Sequence, residues 1–377
     1  MRSGARRRRT LALRGAMAAS LMALAACVPQ APPEPAKSNV TARLIPQPAA
    51  RAYAVPPAPL AVSSAIEALG RQFNGRAGIA VRDVRTGWVA SYNGASSFPQ
   101  QSVSKLWVAI TLMDAVDRGE AVLNEPLTVR TSDLTVFHQP IRALIGKNGY
   151  NTTLEGLLRT ALTMSDNTAN DMLLRRVGGP EAVRAMLARK GLGGIGFGPG
   201  EKLLQASIAG LIWQPGFSAP GAFQQARAAL PMAMRMAAMD RYLAQPVDGA
   251  SPLGITAALA RLESGTLLSP ASTARLIGIM RECRTGAARL RKGLAPGWTL
   301  AHKTGTGQEL AGMTAGYNDV GLVTAPDGRT YAIAVMIGST RVGIPARSKL
   351  MTGVMQAVID NHGYQEASRG GPMSAAN

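Results

Sequence analysis

Phe98-Pro99-Gln100-Gln101-Ser102-Val103-Ser104-Lys105-Leu106-Trp107-Val108-Ala109-Ile110 places a serine and a lysine three residues apart at the start of an apolar run. Leu106, Trp107, Ile110 and Met113 recur at helical spacing, so Ser102 and Lys105 share one face of a helix. The partial positive charge at a helix N-terminus favours an alkoxide forming at Ser102. An amine one turn away can take the hydroxyl proton when burial and nearby positive charge favour its neutral form. A capping serine followed by a surface lysine has the same spacing. The pair gains weight because it is the only Ser-x-x-Lys in the chain and two further motifs follow it.

Ser165-Asp166-Asn167 stands between two helical patterns. The first carries Leu154, Leu157, Leu158, Ala161 and Leu162 on one face and opens with a predicted capping box, Thr152 to Glu155. The second starts near Asn167 and stops at Gly178. At such a joint Ser165 can relay a proton and Asn167 can donate to a substrate carbonyl; plain helix capping is the competing reading. Lys303-Thr304-Gly305, followed by Thr306-Gly307, falls on a predicted strand. It offers a cation, hydroxyls suited to a carboxylate, and a glycine that lets substrate approach the backbone. His302 beside Lys303 invites a Ser-His-Asp reading, but neighbours on a strand point to opposite faces.

Around these motifs the pattern is α+β. Residues 61–73 read as a helix with Ile66, Leu69 and Phe73 on one face. Ala77 to Tyr92 alternate about the turn Arg85-Thr86-Gly87 as a hairpin. Residues 100–290 read as helical, with Gly and Pro interruptions. Trp298–Thr306, Gly316–Thr324 and Thr330–Ile337 read as three more strands, and Arg347–Asn361 as a closing helix. The chain ends would thus supply a five-stranded antiparallel sheet with flanking helices, and the middle an all-helical lobe, with the active site in the cleft between them. No internal repeat is present.

Composition bounds the chemistry. The 377 residues are 46% hydrophobic and 17% charged, which excludes a disordered chain. Two cysteines, Cys27 and Cys283, and three widely spaced histidines offer no metal-ligand pattern, so no metal and no cofactor are expected. The net charge of +19 is swollen by six arginines in residues 1–26. The remaining basic residues are scattered without aromatic interleaving, so nucleic-acid binding is not expected. Arg6 to Arg9, then the apolar run Gly15 to Ala26, read as an export signal in residues 1–26. Twelve apolar residues are too few to span a bilayer, which needs roughly 20. The run ends in Leu24-Ala25-Ala26-Cys27, which resembles the lipobox of bacterial lipoproteins, and Arg8-Arg9-Thr10-Leu11 loosely resembles a twin-arginine signal. The resemblance implies lipidation of Cys27 and a periplasmic, membrane-tethered protein, with the outer membrane the expected site. Residues 28–59 hold nine prolines, so 27–59 reads as a lipid-anchor cysteine and tether, 60–364 as the catalytic domain and 365–377 as a flexible tail. Cys283 is then without an intramolecular partner and is expected to be a buried, small apolar residue.

Taken in order, the three motifs resemble the penicillin-recognising serine enzymes, and within them the class A β-lactamases. The resemblance spans residues 61–364. Gly178-Gly179-Pro180 follows the second motif as in that family, and Glu201 lies 36 residues after Ser165, at the offset of the carboxylate that activates the deacylating water. Thr285-Gly286-x-x-Arg289-Leu290-Arg291 and Gly297-Trp298 also match. The resemblance implies a serine β-lactamase acting as a monomer on a small β-lactam. In it Ser102 is the nucleophile, and Lys105, or Glu201 through a water, is the base. Ser165 and Lys303 act at the leaving nitrogen. Asn167, Thr304, Gly305, Thr306 and Arg289 bind substrate, and Phe137 stands at the cleft mouth.

Departures from the family centre on the loop after Glu201. Pro199 stands where the family has an arginine paired with an aspartate at the loop's far end, here matched by Asp248. An insertion, about residues 206–247, separates Glu201 from Asp248, and Gln205 replaces the asparagine that helps hold the water. The insertion, with Met232, Met234, Met236 and Met239, is expected to be a helix packed on the lobe. Leu203, Leu204, Ile208 and Trp213 are expected to pin the loop by apolar contact. Two alternatives stay open: a D-alanyl-D-alanine carboxypeptidase or transpeptidase, and a β-lactam- or peptidoglycan-binding lipoprotein that is acylated without turnover. Whether Glu201 faces Ser102 separates them.

Overall fold

Along Thr330–Thr340 the side chains divide between two cores. Ala332, Ala334 and Met336 pack into a core shared with the helices of the middle segment. Tyr331, Ile333, Val335 and Ile337 pack into another, with Val62, Ile66, Leu350 and Val354. Period-2 alternation in a strand covered on both faces produces this division. The structure is a computed structural model and describes residues 55–363. The stretches read above as an export signal and as a C-terminal tail, together with Cys27 and most of the Pro-rich segment, lie outside the described residues.

In chain order, helix α1 (Leu60–Gln72) leads into the hairpin β1 (Arg76–Asp83) and β2 (Val89–Tyr92). A two-residue strand, β3 (Phe98–Pro99), and a 3₁₀ turn over Gln101–Ser104 deliver the chain to α2 (Lys105–Asp117). Every residue of α2 from Lys105 to Ala115 is buried, so this helix is the axis of the middle segment. A ribbon of β4 (Pro126–Val129) and β5 (Tyr150–Thr153) precedes α3 (Leu154–Thr163), α4 (Asn167–Arg176) and α5 (Gly179–Arg189). Then come α6 (Glu201–Ala209), α7 (Ala222–Ala229), α8 (Met232–Ala244), β6 (Gly249–Ala250), α9 (Pro252–Glu263) and α10 (Pro270–Arg281). The chain closes with β7 (Thr299–Thr306), β8 (Glu309–Leu310), β9 (Met313–Thr324), β10 (Thr330–Thr340) and α11 (Ile344–Asp360).

The main sheet runs β2-β1-β10-β9-β7, antiparallel throughout, as expected for five strands. The short β8 pairs with β9 beyond the end of β7 and makes a sixth. The middle segment is not all helical. β3 pairs with β6 across some 150 residues of chain, and β4 with β5. Runs of two to four residues carry too few side chains to show a period, so the sequence pattern passes over them. The cap of α3 also differs from the expected capping box. Thr153, not Thr152, accepts the Gly156 N–H, and Glu155 pairs with Arg275 instead.

At the end of β1 the buried Asp83 carboxylate accepts from Arg329 at 2.6 and 2.5 Å, tying the β9–β10 turn to the first hairpin. Removing one member of a buried ion pair strands the other charge. Asp83→Ala is therefore expected to lower unfolding free energy by about 3–5 kcal/mol, read from urea denaturation midpoints at constant slope.

Candidate active site

Ser102 lies in the 3₁₀ turn, and Lys105 is the first residue of α2. Lys105 Nζ lies 2.8 Å from Ser102 Oγ and 2.9 Å from Asn167 Oδ1, and it pairs with the Glu201 carboxylate. One buried lysine nitrogen thus joins groups from the serine turn, α4 and α6. Lys303 Nζ, buried on β7, donates to Ser165 Oγ at 2.8 Å and to the Thr304 carbonyl at 2.9 Å. Burial, and next the charge of Lys105, push the Lys303 pKa down to about 7. His302 points the other way, with Nδ1 2.7 Å from Asp319, as strand alternation requires. Cys283 is buried, as expected.

Both serines open on one cleft of about 460 Å³, within the range of small-molecule sites, with the two lysines buried behind them. Ser102, Ser165 and Asn167 reach it from the middle segment; Thr304, Thr306 and Arg289 reach it from the sheet side. The Thr304 and Thr285 hydroxyls lie 2.6 Å apart. Arg289 lies over the Tyr317 ring, 3.7 Å from its centroid, and donates to the Gly305 carbonyl at 3.0 Å and to Thr306 Oγ1 at 2.5 Å. Phe137 is half-exposed at the mouth, its ring 5.0 Å from Phe223 of α7. Among the described residues, five non-glycine positions have positive φ, and Gln101, Phe137 and Ser165 are three of them. Such backbone persists only where surroundings over-determine it, so the concentration marks this cleft as the built site.

The loop bearing Glu201 is held by residues that sequence reasoning missed. Asp171 of α4 accepts the Glu201 and Lys202 N–H groups at 3.0 and 3.3 Å, capping α6 from a neighbouring helix. Burial, and then the Glu201 charge, raise its pKa to about 6. Asn167 and Asp171, four apart, share a helix face, and that spacing was the available signal. Asp248, with Pro199 in place of an arginine, has no ion-pair partner among the described residues. Its carboxylate accepts the Gln101 N–H at 2.8 Å and the Tyr242 hydroxyl at 2.9 Å, and burial raises its pKa to about 6. Tyr242 comes from α8 of the insertion, and Gln101 Nε2 donates to its oxygen at 2.7 Å. Gln205 Nε2 lies 3.1 Å from Gln101 Oε1 and 3.4 Å from Glu201 Oε2.

The insertion is not one helix but a 3₁₀ turn over Pro215–Ser218 followed by α7 and α8. Leu204 and Ile208 pack with Met239 and Tyr242. The opposite side of α6, through Ala206 and Ala209, packs with Phe223, Trp213 and Phe217. Leu203 is half-exposed and takes no part in this packing, contrary to expectation, because it falls on the outer face of α6. Met232, Met234 and Met236 are exposed, whereas Met239 is buried.

Serine and lysine at one cleft wall, a carboxylate over them and a second serine–lysine pair opposite define a serine hydrolase site. The sequence model of the β-lactamase enzyme family matches residues 61–361. The extended-spectrum β-lactamase PER-1 of Pseudomonas aeruginosa is 31% identical over 246 residues, 65% of this chain and 69% of that protein. A solved β-lactamase from Chitinophaga pinensis is 27% identical, with a TM-score of 0.66 over 80% of this chain and 99% of that one. An ancestral class A β-lactamase is 28% identical, with a TM-score of 0.62 over 79% and 99%. The chain belongs to the β-lactamase enzyme family and, within it, to the class A serine enzymes.

Tyr242 is the insertion's polar contact with the nucleophile turn. Tyr242→Phe leaves the buried Asp248 carboxylate one donor short and is expected to destabilise the protein by about 1–3 kcal/mol, read as a lowered denaturation midpoint.

Proposed function

We propose that the protein hydrolyses the β-lactam amide through an acyl-enzyme on Ser102. Ser102 Oγ attacks the lactam carbonyl as its proton passes to Lys105, or to Glu201 through a water. Backbone N–H groups of Ser102 and Thr306 receive the oxyanion. Arg289, Thr304 and Thr306 hold the substrate carboxylate, Gly305 admits it to the strand, and Asn167 donates to the side-chain carbonyl. Ser165 gives its proton to the leaving nitrogen, with Lys303 beside it to resupply that proton. Glu201, oriented by Gln205, then removes a proton from the water that attacks the ester, and the ring-opened acid leaves.

The observation that carries this reading is the contact of Glu201 with Lys105 next to Ser102. A peptidase or a non-hydrolytic binder needs no carboxylate there. Glu201→Gln is expected to be acylated by benzylpenicillin and to stall. Intact-mass spectrometry should show a lasting adduct of one penicillin on the variant, and none on the wild type once excess substrate is consumed. A lasting adduct on the wild type would favour the binder or peptidase.

From the sequence of residues 1–59 we also propose an exported, periplasmic lipoprotein anchored through Cys27, with the Pro-rich segment as tether. Cys27→Ser should move the protein from the membrane fraction to the soluble fraction; unchanged membrane association would overturn the anchor.

A further inference from the structure

Arg227, on α7 of the insertion, lines the same cleft as Ser102. Its Nη2 donates to the Glu309 carbonyl at 2.9 Å, which seats the guanidinium against the end of the edge strand. Its Nε is buried without a hydrogen-bond partner. It forms no ion pair among the described residues; the Glu309 side chain binds Thr314 and Arg347 instead. Burial, and next the nearby charge of Arg235, lower its pKa, so its surroundings leave the positive charge uncompensated. A half-buried cation of this kind, facing a cleft, is a receptor for an anion, and the planar guanidinium suits the two oxygens of a carboxylate or sulfonate.

Position decides which part of the substrate would meet it. Arg289 sits against Gly305 and Thr306, whereas Arg227 sits against Glu309. Glu309 lies three residues beyond Thr306, at the start of β8, so the two guanidinium groups meet the edge of the sheet at different points. In a penicillin the ring carboxylate and the acylamino substituent project from opposite ends of the bicyclic nucleus. With the ring carboxylate at Arg289 and the carbonyl at Ser102, the acylamino substituent runs along the edge strand toward Glu309. We propose that Arg227 is a specificity-determining residue that receives an anionic group carried on the acylamino side chain of the β-lactam. This inference rests on the functional reading above.

Benzylpenicillin and carbenicillin differ by a single carboxylate on that side chain and form a matched pair. The quantity to measure is kcat/KM for carbenicillin divided by kcat/KM for benzylpenicillin, within each enzyme, so that differences in active fraction cancel. Arg227→Gln is expected to lower this ratio about ten-fold, the effect of losing one charged hydrogen bond. Arg227→Lys should lower it less, because the charge remains. A ratio unchanged in Arg227→Gln, or a wild type that turns over benzylpenicillin but not carbenicillin, would overturn this inference and leave the β-lactamase reading standing. A wild type neither acylated by benzylpenicillin nor able to hydrolyse it would overturn both.

Discussion

The buried amine of Lys105 is the constraint around which the rest of the molecule is arranged. Taking an amine out of water is costly unless partners surround it. Here the partners come from three separate elements: the serine turn, the start of α4 and the start of α6. Each of those elements must therefore be held where its side chain reaches one nitrogen atom. Asp166 caps α4 through the Ala169 N–H and also accepts the Ile141 N–H, which ties the Ser165–Asn167 joint to the loop below it. Asp171 does the same for α6. Gln100 and Gln101 anchor the serine turn to Asp248, and Asn318 of β9 donates to the Pro99 and Gln100 carbonyls.

This chain secures its Glu201-bearing loop without the ion pair that the family resemblance leads one to expect. Pro199 removes the cation, and the aspartate at the far end is retained. A neutral hydroxyl and a backbone N–H take over, and the carboxylate stays fully buried. Burial without a counter-charge raises the pKa of Asp248, just as burial raises that of Asp171. Both carboxylates favour their protonated forms more in the folded than in the unfolded chain, so ionising them as pH rises from about 4 through 6 weakens the fold. The inserted helices offset that weakness with apolar contact on both sides of α6. The same helices bring Phe223 against Phe137 and Arg227 into the cleft, so the segment that stabilises the loop also shapes the substrate's surroundings.

Local periodicity and local motif were the legible part. Helices α1 and α2, the strand alternation that parts His302 from Lys303, the first hairpin, the three later strands of the main sheet and the joint at Ser165–Asn167 all lie within reach of periods of 2 or 3.6 residues or of a turn signal between strands. The three motifs could be named because each is a short pattern, and Glu201 because the family resemblance implies a carboxylate at that offset from Ser165. Thr153 as the cap of α3, the outward-facing Leu203 and the ribbons of two and four residues were not legible, since each turns on a shift of one residue or on a run too short to have a period.

The sequence by itself determined which side chains are available: a serine and lysine on one helix face, a serine–asparagine joint, a lysine–threonine strand and a carboxylate at Glu201. Only the tertiary structure decided that Lys105 touches all of Ser102, Asn167 and Glu201, that Asp171 caps the helix of Glu201, and that Tyr242 and Gln101 replace a missing arginine at Asp248. The reason is physical. Gln101 and Asp248 are 147 residues apart, and Lys105 and Glu201 are 96 apart. No local propensity records such a separation, and these contacts exist only once the two cores have closed and water has left the groups between them.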